Sequence, residues 1–227
     1  MGQADAVPDK EKRNRMILII VMAFSSVVFV ISSLFIARIN GWLGKKDEVE
    51  LLTVIDDDIG VEIGSQTLTY IDDTHMIDAR CAGELEKMLS DCRSAGFSPV
   101  VTAAFRSESE QRELFNTLVA GFMSEGRDST TAKALAMRQA DLPGFSEHQL
   151  GLAADIEDLD GDEGIFDWLG ENAWRYGFIR RYPQDKTELT AHPYVAGHFR
   201  YVGTEAAKQI YELGICLEEY VAMFYSK

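Results

Sequence analysis

The clearest pattern in the chain is a helical stripe of apolar residues between Ala82 and Ala95. Apolar side chains recur there at i, i+3, i+4 and i+7, as Leu85, Met88, Leu89 and Cys92. This spacing places them on one face of a helix, and that face is expected to pack against a core. Gly96 follows at once and is expected to end the helix.

A strand and a second helix are predicted next. The stretch FSPVVTAAFRS is apolar and rich in β-branched residues, which indicates a buried strand that ends near Arg106. Ser107 and Glu110 then form an S-x-x-E capping box, which predicts a helix that runs to about Ser124. Its apolar face consists of Leu114, Phe115, Leu118, Val119 and Phe122.

The rest of the chain mixes the two kinds of element. Strands are predicted in LGLAADI and HFRYV, and helices over Ser129–Ala140, which Pro143-Gly144 breaks, near Phe166–Tyr176, and over Thr204–Leu213 and Leu217–Phe224. Because no regular βαβ rhythm occurs, we expect an α+β fold with a small central antiparallel sheet and flanking helices.

An uncharged segment near the N-terminus runs from Met16 to Ala37. As a helix it is about 33 Å long, enough to cross a hydrocarbon core of about 30 Å. The slight excess of basic residues before it favours a cytoplasmic N-terminus. We therefore predict a cytoplasmic segment 1–15, a single-pass transmembrane anchor 16–37, a linker 38–65 and an extracellular domain 66–227. A cleaved signal peptide is the alternative, although its apolar core usually runs only about 7–15 residues.

The net charge of −15 is concentrated after the predicted anchor. Seven of the 22 Lys and Arg residues but only three of the 37 Asp and Glu residues lie in residues 1–46, so residues 47–227 are strongly acidic. A surface of this charge repels phosphate groups, which argues against a nucleic acid partner.

Three cysteines leave the disulfide state open. If Cys81 and Cys92 share one helix, their Cα atoms are about 16 Å apart, which is too far for a bridge. A bridge from Cys216 to either of them, and three buried thiols, are the two alternatives.

His148, Asp155 and His198 are candidate metal ligands, carried by the stretches SEHQLGLAAD and GHFRYVG. Zinc binds imidazole nitrogen and carboxylate oxygen, and a catalytic zinc uses three protein ligands. Since residues seven apart cannot share one face of a straight strand, His148 is expected on the loop before the strand that carries Asp155. On spacing alone, histidines buried in the core are the competing interpretation. The acidic run DLDGDEG lacks the spacing of an EF-hand and is interpreted as a solvated turn.

SEHQLGLAAD also fits the signature S-x-H-x-x-G-x-A-x-D, and in this the chain resembles the zinc D-alanyl-D-alanine carboxypeptidases of the VanY type, with a LAS-type metallopeptidase domain. FRSESEQRELF, RRYPQDKTELT and GHFRYVG are similar to further blocks of that family in the same order. The resemblance covers roughly Ile77 to Tyr220. It implies a bacterial zinc peptidase that removes the terminal D-Ala from peptidoglycan stem peptides outside the cell.

The resemblance also implies roles for single residues. It makes His148, Asp155 and His198 the zinc ligands, Arg106 the catalytic cation, and Arg106, Gln111 and Ser146 the residues that bind the peptide. A guanidinium at Arg106 suits both the terminal carboxylate of the substrate and the oxyanion that develops on the attacked carbonyl.

One position departs from the family pattern. The family's last block usually reads E-P-W-H, in which the glutamate takes a proton from water and passes it to the leaving amine. The aligned residues here are Val195-Ala196-Gly197-His198, so the expected general base is missing. His192 and Glu147 are the possible substitutes, of which His192 is the better because Glu147 should point away if its neighbour His148 binds the metal.

Two interpretations follow. The first is a membrane-anchored D,D-carboxypeptidase that uses another group, such as His192, for proton transfer; a related cut within the stem peptide belongs to the same interpretation. The second is a catalytically inactive module that keeps zinc and the peptide pocket and binds or regulates at the cell wall.

Overall fold

The structure is a computed structural model that describes residues 50–55, 60–61 and 66–225. The predicted segments 1–15 and 16–37 lie outside the described residues, so the cytoplasmic segment and the anchor stay predictions. Over the part of the chain that is described, no helix is both long and apolar enough to cross a membrane.

Two antiparallel sheets organise the domain. A short hairpin pairs β1 (Leu68–Tyr70) with β2 (Met76–Asp78). The larger sheet contains β3 (Pro99–Ala103), β4 (Ala153–Asp158), β5 (Phe178–Arg180) and β6 (His198–Tyr201), in the order β3-β4-β6-β5. Each neighbouring pair is antiparallel. The predicted α+β class with a central antiparallel sheet is therefore confirmed.

Helices flank this sheet and fill most of the intervening chain. They are α1 (Ala79–Ser94), α2 (Glu108–Ser124), α3 (Ser129–Ala136), α4 (Gly164–Asn172), α5 (Thr187–Thr190), α6 (Thr204–Leu213) and α7 (Leu217–Phe224). Short 3₁₀ turns lie at Glu147–Leu150, Ala173–Tyr176 and Gln184–Lys186.

The main hydrophobic core lies between the sheet and α1. The predicted stripe Leu85, Met88, Leu89 and Cys92 is buried there, against Ala154, Ile156 and Phe199 of β4 and β6. Because side chains alternate along a strand, Asp155 and His198, the neighbours of these core residues, lie on the opposite face of the sheet. The core thus holds two predicted metal ligands on one rigid surface.

Three of the six predicted helices have the predicted bounds, α1 begins three residues earlier than predicted, and the helix predicted near Phe166–Tyr176 is α4 followed by a 3₁₀ turn. Ser107 caps α2 through the predicted box with Glu110, and α6 and α7 have the predicted bounds. The predicted helix Ser129–Ala140 ends early, at Ala136. Its last turns tighten, with the amide of Gln139 bonded to the carbonyl of Ala136 only three residues back.

The three cysteines are free and buried, so of the two alternatives the structure has the buried thiols. Burial raises the pKa of Cys81 to about 12 and that of Cys92 and of Cys216 to about 11. These thiols therefore stay protonated and pack as small apolar groups.

Candidate metal centre

His148 lies on the 3₁₀ turn before β4, as predicted. Its Nδ1 is 2.7 Å from the carbonyl oxygen of Ala104, so Nδ1 carries the proton and donates it there. The other ring nitrogen, Nε2, is left with a lone pair and lies 3.3 Å from Asp155 Oδ2. Gly151 ends the turn with a φ of +70°, which favours glycine and turns the chain into β4.

Asp155 and His198 meet because they are directly paired across β4 and β6. Their side chains share one face of the sheet, and Asp155 Oδ1 lies 2.7 Å from His198 Nδ1. One ligand atom from each of His148, Asp155 and His198 lies within 4.8 Å of the others. The predicted grouping of these three residues is confirmed.

Two imidazole nitrogens and one carboxylate oxygen form the donor set that zinc uses in catalytic sites, where a further position stays open. The hydrogen bond from His148 to Ala104 fixes the tautomer whose Nε2 can bind a metal. The residues present therefore fit a zinc ion.

The charges of the group are strongly coupled. Burial raises the pKa of Asp155, but contacts with His148 and His198 outweigh it and hold that pKa well below its usual range. Burial lowers the pKa of His198, yet the carboxylates of Asp155 and Glu147 raise it to about 9. The carboxylate of Asp155 therefore stays ionised and is available to bind a cation.

Glu147 contacts His198 on the side of the ring that faces away from Asp155. It is buried, and its Oε2 lies 3.6 Å from His198 Nε2, the ring nitrogen that faces away from Asp155. Its Oε1 accepts hydrogen bonds from Arg181 Nε at 2.7 Å and lies 2.9 Å from Arg200 Nη1. Burial raises the pKa of Glu147, but the two arginines and His198 prevail and lower it well below its usual range. A carboxylate in this place orients the ligand histidine.

Arg106 and Gln111 each leave a buried polar atom free. Among the described residues, Arg106 Nε and Gln111 Oε1 have no hydrogen-bond partner, whereas the Ser146 hydroxyl interacts with Asp141. Arg106 is tied to the metal group, since its amide donates to the carbonyl of His148 at 3.2 Å, and its guanidinium interacts electrostatically with Asp155. Buried polar atoms without partners are uncommon and are expected where a ligand supplies the partner.

Val195, where the family pattern led us to expect a glutamate, lies in the loop before β6. The amide of Val195 donates to the carbonyl of Tyr182 at 3.3 Å. At Gly197 an added Cβ would lie 2.5 Å from the carbonyl oxygen of Ile156. The loop therefore packs its backbone directly on β4, where a tryptophan would not fit without a shift.

His192 lies in the same loop and stacks on Tyr182, with ring centroids 3.9 Å apart. Tyr182 in turn stacks on His198 at 5.2 Å. The sequence did not reveal Asp141, whose Oδ1 lies 3.7 Å from His192 Nε2. No local pattern signals this contact, because 51 residues separate the two side chains.

Fold and geometry together define an α+β domain built around a His–Asp–His group that can hold a metal. The family model described as "VanY: D-alanyl-D-alanine carboxypeptidase" matches residues 74–204, more than half of the chain. The chain belongs to the VanY family.

Relatives agree with this assignment. The D-alanyl-D-alanine carboxypeptidase of Enterococcus faecalis is 42% identical over 158 residues, which are 68% of this chain and 59% of that protein. The chain thus spans less than two thirds of that relative's length.

Crystal structures of the family have the same fold. A mutant of the vancomycin resistance D,D-pentapeptidase VanY from a VanB-type cassette, in complex with Zn(II), has a TM-score of 0.70 and 38% identity, and the match covers 76% of this chain and 99% of that one. VanYB in complex with D-alanine-D-alanine has a TM-score of 0.70 and 39% identity, over 75% of this chain and 97% of that one. The Zn(II) of the first relative and the His–Asp–His group of this chain together support zinc as the cofactor.

Proposed function

We propose that the chain is a membrane-anchored zinc D,D-carboxypeptidase that acts on the D-Ala-D-Ala termini of peptidoglycan stem peptides. The observation that carries this proposal is Arg106, whose guanidinium interacts with Asp155 of the metal group and whose buried Nε has no hydrogen-bond partner among the described residues. The names of the relatives, a D-alanyl-D-alanine carboxypeptidase and a complex with D-alanine-D-alanine, support the substrate class.

Each residue of the pocket has a role in this reaction. The guanidinium of Arg106 pairs with an anionic oxygen of the substrate, and its burial strengthens that pairing because water screens it less. Ser146 Oγ and Gln111 Oε1 offer further hydrogen bonds to the peptide, so that the scissile amide is oriented. A zinc ion held by His148, Asp155 and His198 supplies Lewis-acid chemistry, polarising a carbonyl and making water a stronger acid.

Proton transfer cannot involve residue 195, because valine carries no titratable group. In this proposal His192 moves the proton, since it lies on the same loop and is linked to His198 through Tyr182. General acid–base assistance contributes about 10²–10⁴-fold to the rate of such reactions. The efficiency of proton transfer by His192 therefore determines how fast the peptide is cleaved.

A second candidate function is a wall-binding module without turnover. The valine at position 195 favours it, because a site kept only for binding retains its ligands and pocket without the base. The two candidates differ in one property, the release of D-alanine.

The test uses the full-length chain in detergent, loaded with zinc and incubated with a peptide that ends in Lys-D-Ala-D-Ala. We expect release of D-alanine by the parent and none by His148→Ala, which removes a metal ligand. Val195→Glu runs beside them, and a faster rate in that variant would mark the parent as a weakened enzyme. Peptide binding with one bound zinc but no release by the parent would favour the binding module.

Location forms a separate part of the proposal. An anchor at residues 16–37 would place the domain outside the cell, where stem peptides occur. We expect the chain to sediment with the membrane fraction. We also expect that protease added to intact spheroplasts digests residues 66–227. Protection from that protease would contradict the orientation.

A further inference from the structure

Two stretches that precede the family match lie close to the metal group. Residues 50–53 and Gln66 both come before residue 74, where the match to the family model begins. Leu51 and Leu52 are buried, the first in the main core and the second in a cluster with residues of α6 and α7. Burial of these two side chains therefore fixes residues 50–53 to the domain.

The first stretch is connected to the metal group through Arg200 of β6, which is fully buried. Its Nη2 donates to the carbonyl oxygens of Leu51 at 3.0 Å and Thr53 at 3.3 Å. Its Nη1 lies 2.9 Å from Glu147 Oε1, and the other oxygen of that carboxylate, Oε2, lies 3.6 Å from His198 Nε2. A continuous series of contacts thus leads from two backbone carbonyls to a predicted metal ligand.

The second stretch contacts the turn that carries His148. Gln66 Nε2 donates to the carbonyl oxygen of Gln149, the next residue of that turn, at 2.9 Å. Gln149 is buried, and its Oε1 accepts a hydrogen bond from the amide of Gly144 at 2.8 Å. The amide of Val61 in turn donates to the carbonyl of Gly144 at 2.7 Å. The turn is therefore held by residues that lie far before it in the sequence.

The position of Arg200 depends on its oxygen acceptors. A buried guanidinium needs oxygen atoms that replace water, so the carbonyl groups of Leu51 and Thr53 help to determine where it lies. Metal ligands are in turn oriented by the contacts that surround them, and loss of such a contact typically lowers metal affinity about 10–100-fold. A displacement of residues 50–53 is therefore expected to reach the metal group through Arg200.

We propose that Leu51, Thr53 and Gln66 are positioning residues of the metal site. The carbonyl groups of Leu51 and Thr53 hold Arg200 against Glu147, and Gln66 holds the turn of His148. This inference deepens the proposed function by adding to its metal site residues that lie outside the family match. Only its consequence for cleavage rests on that function, because zinc affinity can be measured whether or not the chain cleaves a peptide.

The first test replaces the hydrogen-bond donor of Gln66 in the full-length chain. Gln66→Glu keeps the size of the side chain but places a carboxylate against the carbonyl of Gln149, and we expect zinc affinity to fall about 10-fold. The added negative charge alone would attract a cation, so a fall cannot come from that charge. Gln209→Glu is the matched control, because it adds the same charge to α6, where Gln209 contacts the exposed Glu205. Its zinc affinity should match that of the parent or exceed it.

The second test compares two leucines of the main core. Leu51 and Leu89 are each 8% exposed and belong to the same cluster, but only Leu51 carries a carbonyl that accepts from Arg200. Leu51→Ala and Leu89→Ala should lose similar amounts of stability in urea without zinc, since both remove the same buried side chain. We expect zinc affinity to fall about 10-fold more in Leu51→Ala. An equal fall in both variants would overturn the role of the first stretch.

Cobalt(II) bound in place of zinc separates a positioning role from a structural one, because its visible absorption depends on the arrangement of its ligands. The spectrum of Gln66→Glu should differ from that of the parent, and the spectrum of Gln209→Glu should not. Unchanged zinc affinity in Gln66→Glu, or a fall without a change in the cobalt spectrum, would overturn the inference. A parent that binds zinc but releases no D-alanine would refute the proposed function and leave these comparisons decisive for the metal site.

Discussion

A single buried carboxylate, Glu147, is adjacent in sequence to one metal ligand and in space to another. Its carboxylate lies on the side of His198 that faces away from Asp155. The same carboxylate contacts Arg181 and Arg200, both of which are buried. The sequence offered Glu147 as a possible substitute for the general base and suggested that its side chain points away from the metal. Its role depends on two arginines that lie 34 and 53 residues further along the chain, and no local pattern reveals such partners.

Glu147→Gln should therefore weaken both the fold and the metal site. Removing one partner of a buried ion pair costs about 3–5 kcal/mol in the free energy of unfolding. Loss of the carboxylate behind His198 should lower zinc affinity about 10–100-fold. Urea denaturation and zinc titration measure the two effects. The exposed Glu157→Gln is the control, and a Glu147 variant that matches it in both would refute this role.

At the scale of the elements, the pairing of β4 with β6 determines the metal site. The register sets Asp155 opposite His198, and the ladder continues with a hydrogen bond of 2.9 Å from the amide of Ile156 to the carbonyl of Gly197. The backbone approaches β4 so closely here that only glycine fits. The sequence shows a glycine before His198, but only the structure shows how closely that glycine lets the backbone approach β4.

Gly197→Ala should disturb this pairing. The new Cβ would lie 2.5 Å from the carbonyl oxygen of Ile156, so the strand must shift, at a cost of about 1–3 kcal/mol. Since His198 is the next residue, zinc affinity should fall as well. Gly121→Ala in α2 is the matched control, because a Cβ there meets no atom within 4 Å, and it should stabilise the chain by about 0.5–1 kcal/mol. Thermal unfolding with and without zinc compares the two, and equal stability of both variants would contradict the account.

Prediction from the sequence succeeded where the signal is local or periodic. The stripe of α1, the capping box of α2 and the bounds of α6 and α7 follow from spacing and end signals that the chain carries within one turn or two. Strands β1, β2 and β5 were not predicted, because three residues are too few to show an alternation. The order of the strands in the larger sheet could not be predicted, because it depends on contacts between segments that are distant in sequence.

At the scale of the whole molecule, the chain combines a strongly acidic domain with a cation, Arg106, beside the metal group. Residues 47–227 carry 15 Lys and Arg residues against 34 Asp and Glu residues, while Arg106 lies partly buried and interacts with Asp155. The family motifs predicted the grouping of His148, Asp155 and His198, whereas the contact of Asp141 with His192 was not predicted, because the two residues are distant in sequence. The account therefore rests on the metal group and on Arg106 beside it.

Mass spectrometry of the reaction products tests this central claim most directly. The zinc-loaded full-length chain is incubated with a stem pentapeptide that ends in D-Ala-D-Ala, and the masses of all products are measured. The account predicts a tetrapeptide and free D-alanine, formed by the parent and not by His148→Ala. An intact pentapeptide after prolonged incubation, or products of a cut at another bond, would contradict it.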